Sequence, residues 1–188
     1  MSTKIKSRED LITCLAEGGA VKYLYFWGHQ PPKDGSIDKS CLSQWYGAGF
    51  DIDGIHYTTA EHYMMAEKAK LFGDSAALEK ILLSPHPQQA KQLGRSVTNY
   101  NESRWRNHRF GIVVKGNVAK FSQHEALKTY LLNTGDRVLV EASPRDKIWG
   151  IGMDSNDVDA GNPAKWQGSN LLGFALMAVR QQVLLRQA

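Results

Sequence analysis

Apolar positions recur with helical spacing at Leu11, Ile12 and Leu15, within a run from Arg8 to Glu17 that Gly18-Gly19 stops. Val21 to Phe26 is a block of β-formers and reads as a strand. A long polar loop, Gln30 to Ser43, follows, with Pro31-Pro32 and Asp34-Gly35; a loop of that length inside a compact domain is often functional, as a lid or rim. From Phe50 to Tyr57 apolar and polar residues alternate around Asp53-Gly54, which predicts a hairpin burying Phe50, Ile52, Ile55 and Tyr57. Thr58 and Thr59 then cap a helix running to about Phe72. The remaining pattern is mostly helical. Asp74 caps Ser75 to Leu83, and Ser84-Pro85 opens a helix that ends at Gly94. Asn101 caps a long helix to about Phe121, and Glu125 to Leu132 forms another. Arg137 to Ala142 is a clean strand, Trp149 to Gly168 is irregular, and Leu171 to Leu185 is a final amphipathic helix. The pattern predicts an α+β protein: a single compact, mostly helical domain over residues 1–188, with a small β-sheet.

Composition narrows the classes. A chain of 188 residues with 42% hydrophobic and 22% charged residues is an ordinary globular one with room for a sizeable core. No apolar run reaches the roughly 20 residues of a membrane span, and Met1 to Asp10 lacks the apolar stretch of a secretory signal. Cys14 and Cys41 have no CxxC spacing and no nearby His pair, so neither a zinc site nor a disulfide framework is expected, and a reducing cytoplasm is. The net charge of +4 is a mild bias, not the signature of a dedicated nucleic-acid binder, and suits a site for a phosphorylated small molecule equally well.

The chemistry concentrates in the helix after the hairpin. Glu61, Met64, Met65 and Lys68 fall at i, i+3, i+4 and i+7 and so share one side. A carboxylate and an amine flanking a soft apolar patch fit an acid/base group and a nucleophile acting on one substrate. The same residues also fit a plain structural reading. Thr58-x-x-Glu61 matches a capping box, the methionines fit a core, and Lys68 fits a snorkelling edge residue.

Four aromatic clusters sit beside glycine or polar residues rather than in periodic core positions: Phe26-Trp27-Gly28-His29, Gln44-Trp45-Tyr46-Gly47, Trp149-Gly150 and Trp166-Gln167-Gly168. Rings so placed either anchor a core or stack on a flat base. Arg95, Arg104 and Arg106 are candidates for holding phosphate through bidentate contacts, against the reading of a solvated helix face. The glycine-rich loops of dinucleotide and P-loop sites are absent, as is a Gly-x-Ser-x-Gly elbow, and Asp154, Asp157 and Asp159 do not fit a calcium loop.

Several ordered stretches resemble one family. They are FWGH at 26–29, LSQWY at 42–46, FDIDGIHYTTAEHYMMAEKAKLFGD at 50–74 and LGRSV at 93–97, then Trp105 and KFSQH at 120–124. LLNTGDRVLVEASPRDKIWGIGM at 131–153 and WQGSNLLGFALMAVR at 166–180 complete the set. Together they resemble the NADAR superfamily, including its YbiA-like members, over a core of about 24–185. The resemblance implies a mostly helical α+β fold and an N-glycosidase that cleaves between an anomeric carbon and a base nitrogen, with no metal or redox cofactor. It implies one of two substrates: ribosylaminopyrimidine phosphates of early riboflavin synthesis, or ADP-ribose attached to guanine in nucleic acid. A non-catalytic ADP-ribose-binding module is a further reading, and nucleic acid is a partner only where it is ADP-ribosylated. By position, Glu61 and Lys68 become catalytic candidates, and Trp27, Gly28, His29, Trp45, Asp146, Trp149, Gly150 and Asn170 become substrate-binding candidates. The chain departs from many relatives at Gln44-Trp45 and Met64-Met65, where asparagine-phenylalanine and phenylalanine-glutamine are common. The implied chemistry wants an anion beside an oxocarbenium-like centre, which a helix N-terminus favours at Glu61. It also wants a neutral amine at Lys68, which burial favours.

Overall fold

Two strands distant in sequence meet in parallel. In the computed structural model, which describes residues 5–186, β1 (Tyr23–Phe26) pairs with β4 (Val138–Glu141), Tyr23 opposite Val138 and Phe26 opposite Glu141. β2 (Phe50–Ile52) and β3 (Ile55–Tyr57) form a separate antiparallel hairpin. The helices are α1 (Arg8–Ala16), α2 (Ala60–Phe72), α3 (Ser75–Leu83), α4 (Pro87–Arg95), α5 (Glu102–Gln123), α6 (Glu125–Asn133) and α7 (Leu171–Leu185). The class is the expected one, α+β and mostly helical. The small sheet is two two-stranded pairs among the described residues.

The contacts divide the chain into two compact units. Among the described residues one comprises 5–43 and 126–186; the other is Gln44–Glu125.

In the first unit α7 lies on β4. The approach is close enough that a Cβ added at Gly173 would sit 2.0 Å from the Leu139 carbonyl oxygen, so only glycine fits there. Asn170 heads α7 in a left-handed conformation, φ 52°, and is fully buried. Its Oδ1 accepts from the Glu141 amide at 2.9 Å and its Nδ2 donates to the Leu139 carbonyl at 2.9 Å. One side chain thus clamps the helix start to the strand. Arg8 of α1 donates from Nε to the Pro163 carbonyl at 2.7 Å and from Nη2 to the Ala164 carbonyl at 3.0 Å, which ties α1 to the irregular stretch.

In the second unit Asp53 and Gly54 both take positive φ, 53° and 78°, as a two-residue hairpin turn requires. Phe50 and Tyr57 are buried as expected, whereas Ile52 and Ile55 are only half-buried at the turn end. Phe50, Tyr57 and Tyr63 of α2 form an aromatic cluster with centroids 5.0–6.0 Å apart. Pairs of this kind add about 0.5–1.5 kcal/mol each beyond area burial. The hairpin delivers the chain to Thr59, the N-cap of α2, and residues 60–66 are then buried all round by packing on α3, α4 and α5. Asp74 caps α3 and Asn101 caps α5, each accepting from the amide three residues on.

Two expected starts are corrected. α4 begins at Pro87 with His86 as N-cap, not at Ser84-Pro85. The Ser84 hydroxyl donates to the Ile81 carbonyl at 2.7 Å and so closes α3, which leaves the second proline to open α4. The capping box Thr58-x-x-Glu61 does not form, because Thr59 is the cap and the Glu61 amide donates to the Gln44 carbonyl at 3.0 Å.

Candidate active site

Glu61 and Lys68 stand on one side of α2, and the helical rise separates them by about 10 Å along the axis. Glu61 is 3% exposed, in the first turn, where the unpaired amides of a helix favour negative charge. Lys68 is half-buried. Its Nζ lies 4.4 Å from the Tyr100 ring centroid and 5.5 Å from that of Trp105. Burial pushes its pKa below the ordinary lysine value; nearby Arg95 adds to the depression and Glu102 works against it. Met64 and Met65 are buried between the two groups along the helix, Met65 against Gly94 of α4.

Around Lys68 the unit gathers residues from the turn before α5 and its first turns. Tyr100 donates its hydroxyl to Glu102 Oε2, and Arg106 pairs with Glu102 at 3.6 Å. Arg104 lies over the Phe72 ring at 6.0 Å. All three candidate arginines, Arg95, Arg104 and Arg106, are exposed. Trp45 is half-buried, with Lys91 Nζ 5.8 Å from its ring centroid.

The reading from sequence passed over a buried polar group in the same unit. Asn117 and Lys120 of α5 are both 0% exposed, and Gln44 is 7% exposed. Asn117 Nδ2 donates to Gln44 Oε1 at 2.6 Å and to the Val113 carbonyl at 2.9 Å. Lys120 Nζ lies 5.5 Å from the Tyr46 ring centroid and 5.1 Å from that of Phe121. A signal was present: Asn117 and Lys120 occupy positions that continue the apolar stripe of Val113, Val114 and Phe121.

In the first unit the other candidates cluster by topology. β1 leads into Trp27-Gly28-His29 and β4 into the loop through Gly150, at the same carboxyl end of a parallel pair, since the Ala142 amide donates to the Phe26 carbonyl at 3.0 Å. That end is where α/β architectures place ligands. Trp27 is 54% exposed, and His29 is half-buried with a ring nitrogen 3.0 Å from Gln30 Nε2. Asp146 Oδ1 accepts from the amides of Ile148 and Trp149 at 2.9 and 2.7 Å and so shapes the loop that carries the Trp149 ring. Gly150 is buried, its carbonyl accepting from the Asn170 amide at 3.0 Å. Asn170 spends both amide atoms on β4, so its part is to hold this loop rather than to reach outward. Glu141, a half-buried carboxylate at the end of β4, is a further polar residue here that the sequence reading did not single out.

Asp154 and Asp157 cap their own turns and Asp159 pairs with Lys165 at 2.7 Å, all in a polar loop. Among the described residues no group of His, Cys, Asp and Glu could hold a metal ion, and no helix is long and apolar enough to cross a membrane.

Within the second unit, a carboxylate and an amine of depressed pKa stand on one helix, a pairing that can serve nucleophile-assisted chemistry. Comparison with known proteins names the group. The NADAR domain model matches residues 25–184, and the chain belongs to that family. It is 42% identical over 166 residues to the N-glycosidase of Acanthamoeba polyphaga mimivirus, covering 86% of this chain and 96% of that one. It is 32% identical over 136 residues to N-glycosidase YbiA of Escherichia coli, covering 72% and 76%. The NMR structure of Escherichia coli YbiA superposes with a TM-score of 0.70 at 28% identity, covering 88% of this chain and 87% of that one. The protein is a glycosidase acting on N-glycosyl bonds.

Proposed function

We propose that this glycosidase hydrolyses the C–N bond of ribosylaminopyrimidine phosphates, the early riboflavin-pathway intermediates, in the cytoplasm, with Glu61 and Lys68 of α2 as its reacting groups. One observation carries the reading: the Lys68 amine is half-buried against Tyr100 and Trp105 and its pKa is depressed, which favours the neutral, nucleophilic form. In this scheme the Lys68 Nζ lone pair forms a bond to C1′. The C1′–N electron pair leaves with the base nitrogen, which takes up a proton. Opening of the ribose ring and loss of an amine proton give a Schiff base, and water then adds to C1′ and releases the sugar and free Lys68. The Glu61 carboxylate stabilises positive charge at C1′ and relays protons. In the second unit Trp45 is the stacking candidate for the base; in the first unit Trp149 and the exposed Trp27 are stacking candidates, Gly28, His29 and Gly150 are binding candidates, and Asp146 and Asn170 support the Trp149 loop.

A second reading puts an ADP-ribosyl group on the same residues. Arg95 beside Lys68, with the exposed Arg104 and Arg106, favours it by offering guanidinium groups for a second phosphate. The test is release of free base from ribosylaminopyrimidine phosphate and from ADP-ribosyl-guanosine, with Lys68→Ala as control. A higher specificity constant for the first supports the proposal. A value well above it for the second overturns the substrate choice and keeps the bond class.

A further inference from the structure

We infer that Gln44 and Asn117 form an amide lock that positions Glu61 for reaction; the inference rests on the reading of Glu61 as a reacting carboxylate. The Glu61 amide is one of the four at a helix start that lack an acceptor within the helix. It donates instead to the Gln44 carbonyl at 3.0 Å. The Gln44 side chain is tethered in turn, because Asn117 Nδ2 donates to its Oε1 at 2.6 Å and to the Val113 carbonyl at 2.9 Å. These bonds leave no freedom in either amide. A carbonyl such as Val113 can only accept, so Asn117 must turn its NH₂ toward it, and Gln44 must then present oxygen to Asn117. A continuous path therefore runs from the α5 backbone through Asn117 and Gln44 to the main chain of Glu61.

The lock is a poor stabiliser. Among the described residues neither Gln44 Nε2 nor Asn117 Oδ1 finds a further partner, although both atoms are buried. Burying these amide atoms costs desolvation that an apolar pair of the same shape would avoid. What two amides supply and two apolar side chains do not is direction. Gln44 and Asn117 are accordingly positioning residues.

The experiment compares near-isosteric replacements, Gln44→Met, Asn117→Leu and the double variant, with Glu61→Gln alongside. Each is assayed for Tm, kcat and KM on whichever glycoside the wild type turns over, ribosylaminopyrimidine phosphate or ADP-ribosyl-guanosine. The expected result for the double variant is an unchanged or raised Tm, kcat lower by about tenfold or more, and KM within about threefold. A folded double variant with wild-type kcat overturns the lock, as does a fall in Tm with full activity per folded molecule, the mark of a merely structural pair. If the double variant does not fold, Gln44→Met is read by the same criteria, since it cuts the tether and keeps the Gln44 carbonyl. Wild-type activity in Glu61→Gln overturns the reading of Glu61 and the lock with it. Loss of activity in Glu61→Gln with full activity in the double variant overturns the lock alone.

Discussion

Lys68 Nζ stands 4.4 Å from the centroid of the Tyr100 ring. A cation over an aromatic face gains about 0.5–2 kcal/mol, while burial opposes the charge. Burial also outweighs the charge of nearby Glu102, and the pKa lies below the ordinary value of 10.5. If neutral Lys68 is the nucleophile, kcat rises with pH and levels off before pH 10.5. Removing Glu102, which holds the pKa up, moves that limb to lower pH in Glu102→Gln; removing Arg95, which holds it down, moves it to higher pH in Arg95→Gln. Limbs that coincide in all three proteins would assign the ionisation elsewhere.

Covalent chemistry at Lys68 leaves a trace. Borohydride added during turnover reduces the Schiff base, and peptide mass analysis should find the sugar on Lys68. Lys68→Ala should show no adduct and a kcat lower by at least about a hundredfold. An active wild type that yields no adduct points to direct attack by water.

Glu61→Gln keeps the size of the side chain and removes its charge. Its expected effect is a fall in kcat of about 10²–10⁴ with KM little changed, because the carboxylate acts mainly on the transition state. A raised KM at unchanged kcat would make Glu61 a binding group.

Stacking is tested at Trp149 and Trp45. Either alanine variant should lose about 1–3 kcal/mol of substrate binding if its ring meets the base. Asp146→Ala should raise KM in the same direction, since Asp146 holds the Trp149 amide at 2.7 Å. Unchanged kinetics in both tryptophan variants would return the rings to the core.

His62 predicts a pH dependence of stability. Its ring is 1% exposed, with Nε2 3.0 Å from the Ser84 carbonyl and Nδ1 2.8 Å from Thr59 Oγ1. Because the carbonyl only accepts, Nε2 carries the proton and Nδ1 accepts from the threonine. Burial lowers the pKa from 6.5, so below about that pH the unfolded chain binds a proton that the folded one resists. Stability is therefore full above pH 6.5 and falls as pH drops toward the folded pKa. Thermal melts between pH 8 and pH 5 should show the decline, with a shallower slope in His62→Gln. Equal slopes would place the titration on another group.

The sequence by itself determined what neighbouring residues decide between them. Asp53-Gly54 makes the turn because two adjacent residues tolerate positive φ, and Asp74 and Asn101 cap helices because each side chain reaches an amide three residues away. The spacing of Glu61, Met64, Met65 and Lys68 was legible for the same reason, since a helix maps sequence distance onto one face. Where two local signals competed, a short-range hydrogen bond chose. Ser84-Pro85 and Pro87 could each begin a helix, and the Ser84 bond to Ile81 settled it. The tertiary structure alone decided the parallel pairing of β1 with β4, the Gln44 carbonyl as partner of the Glu61 amide, the Asn117 bond to the Gln44 side chain, and the turning of Asn170 onto β4. These partners are far apart in the chain, and nothing in either segment names the other. Their contacts form only once the burial of apolar faces has outweighed the entropy of closing the loops between them.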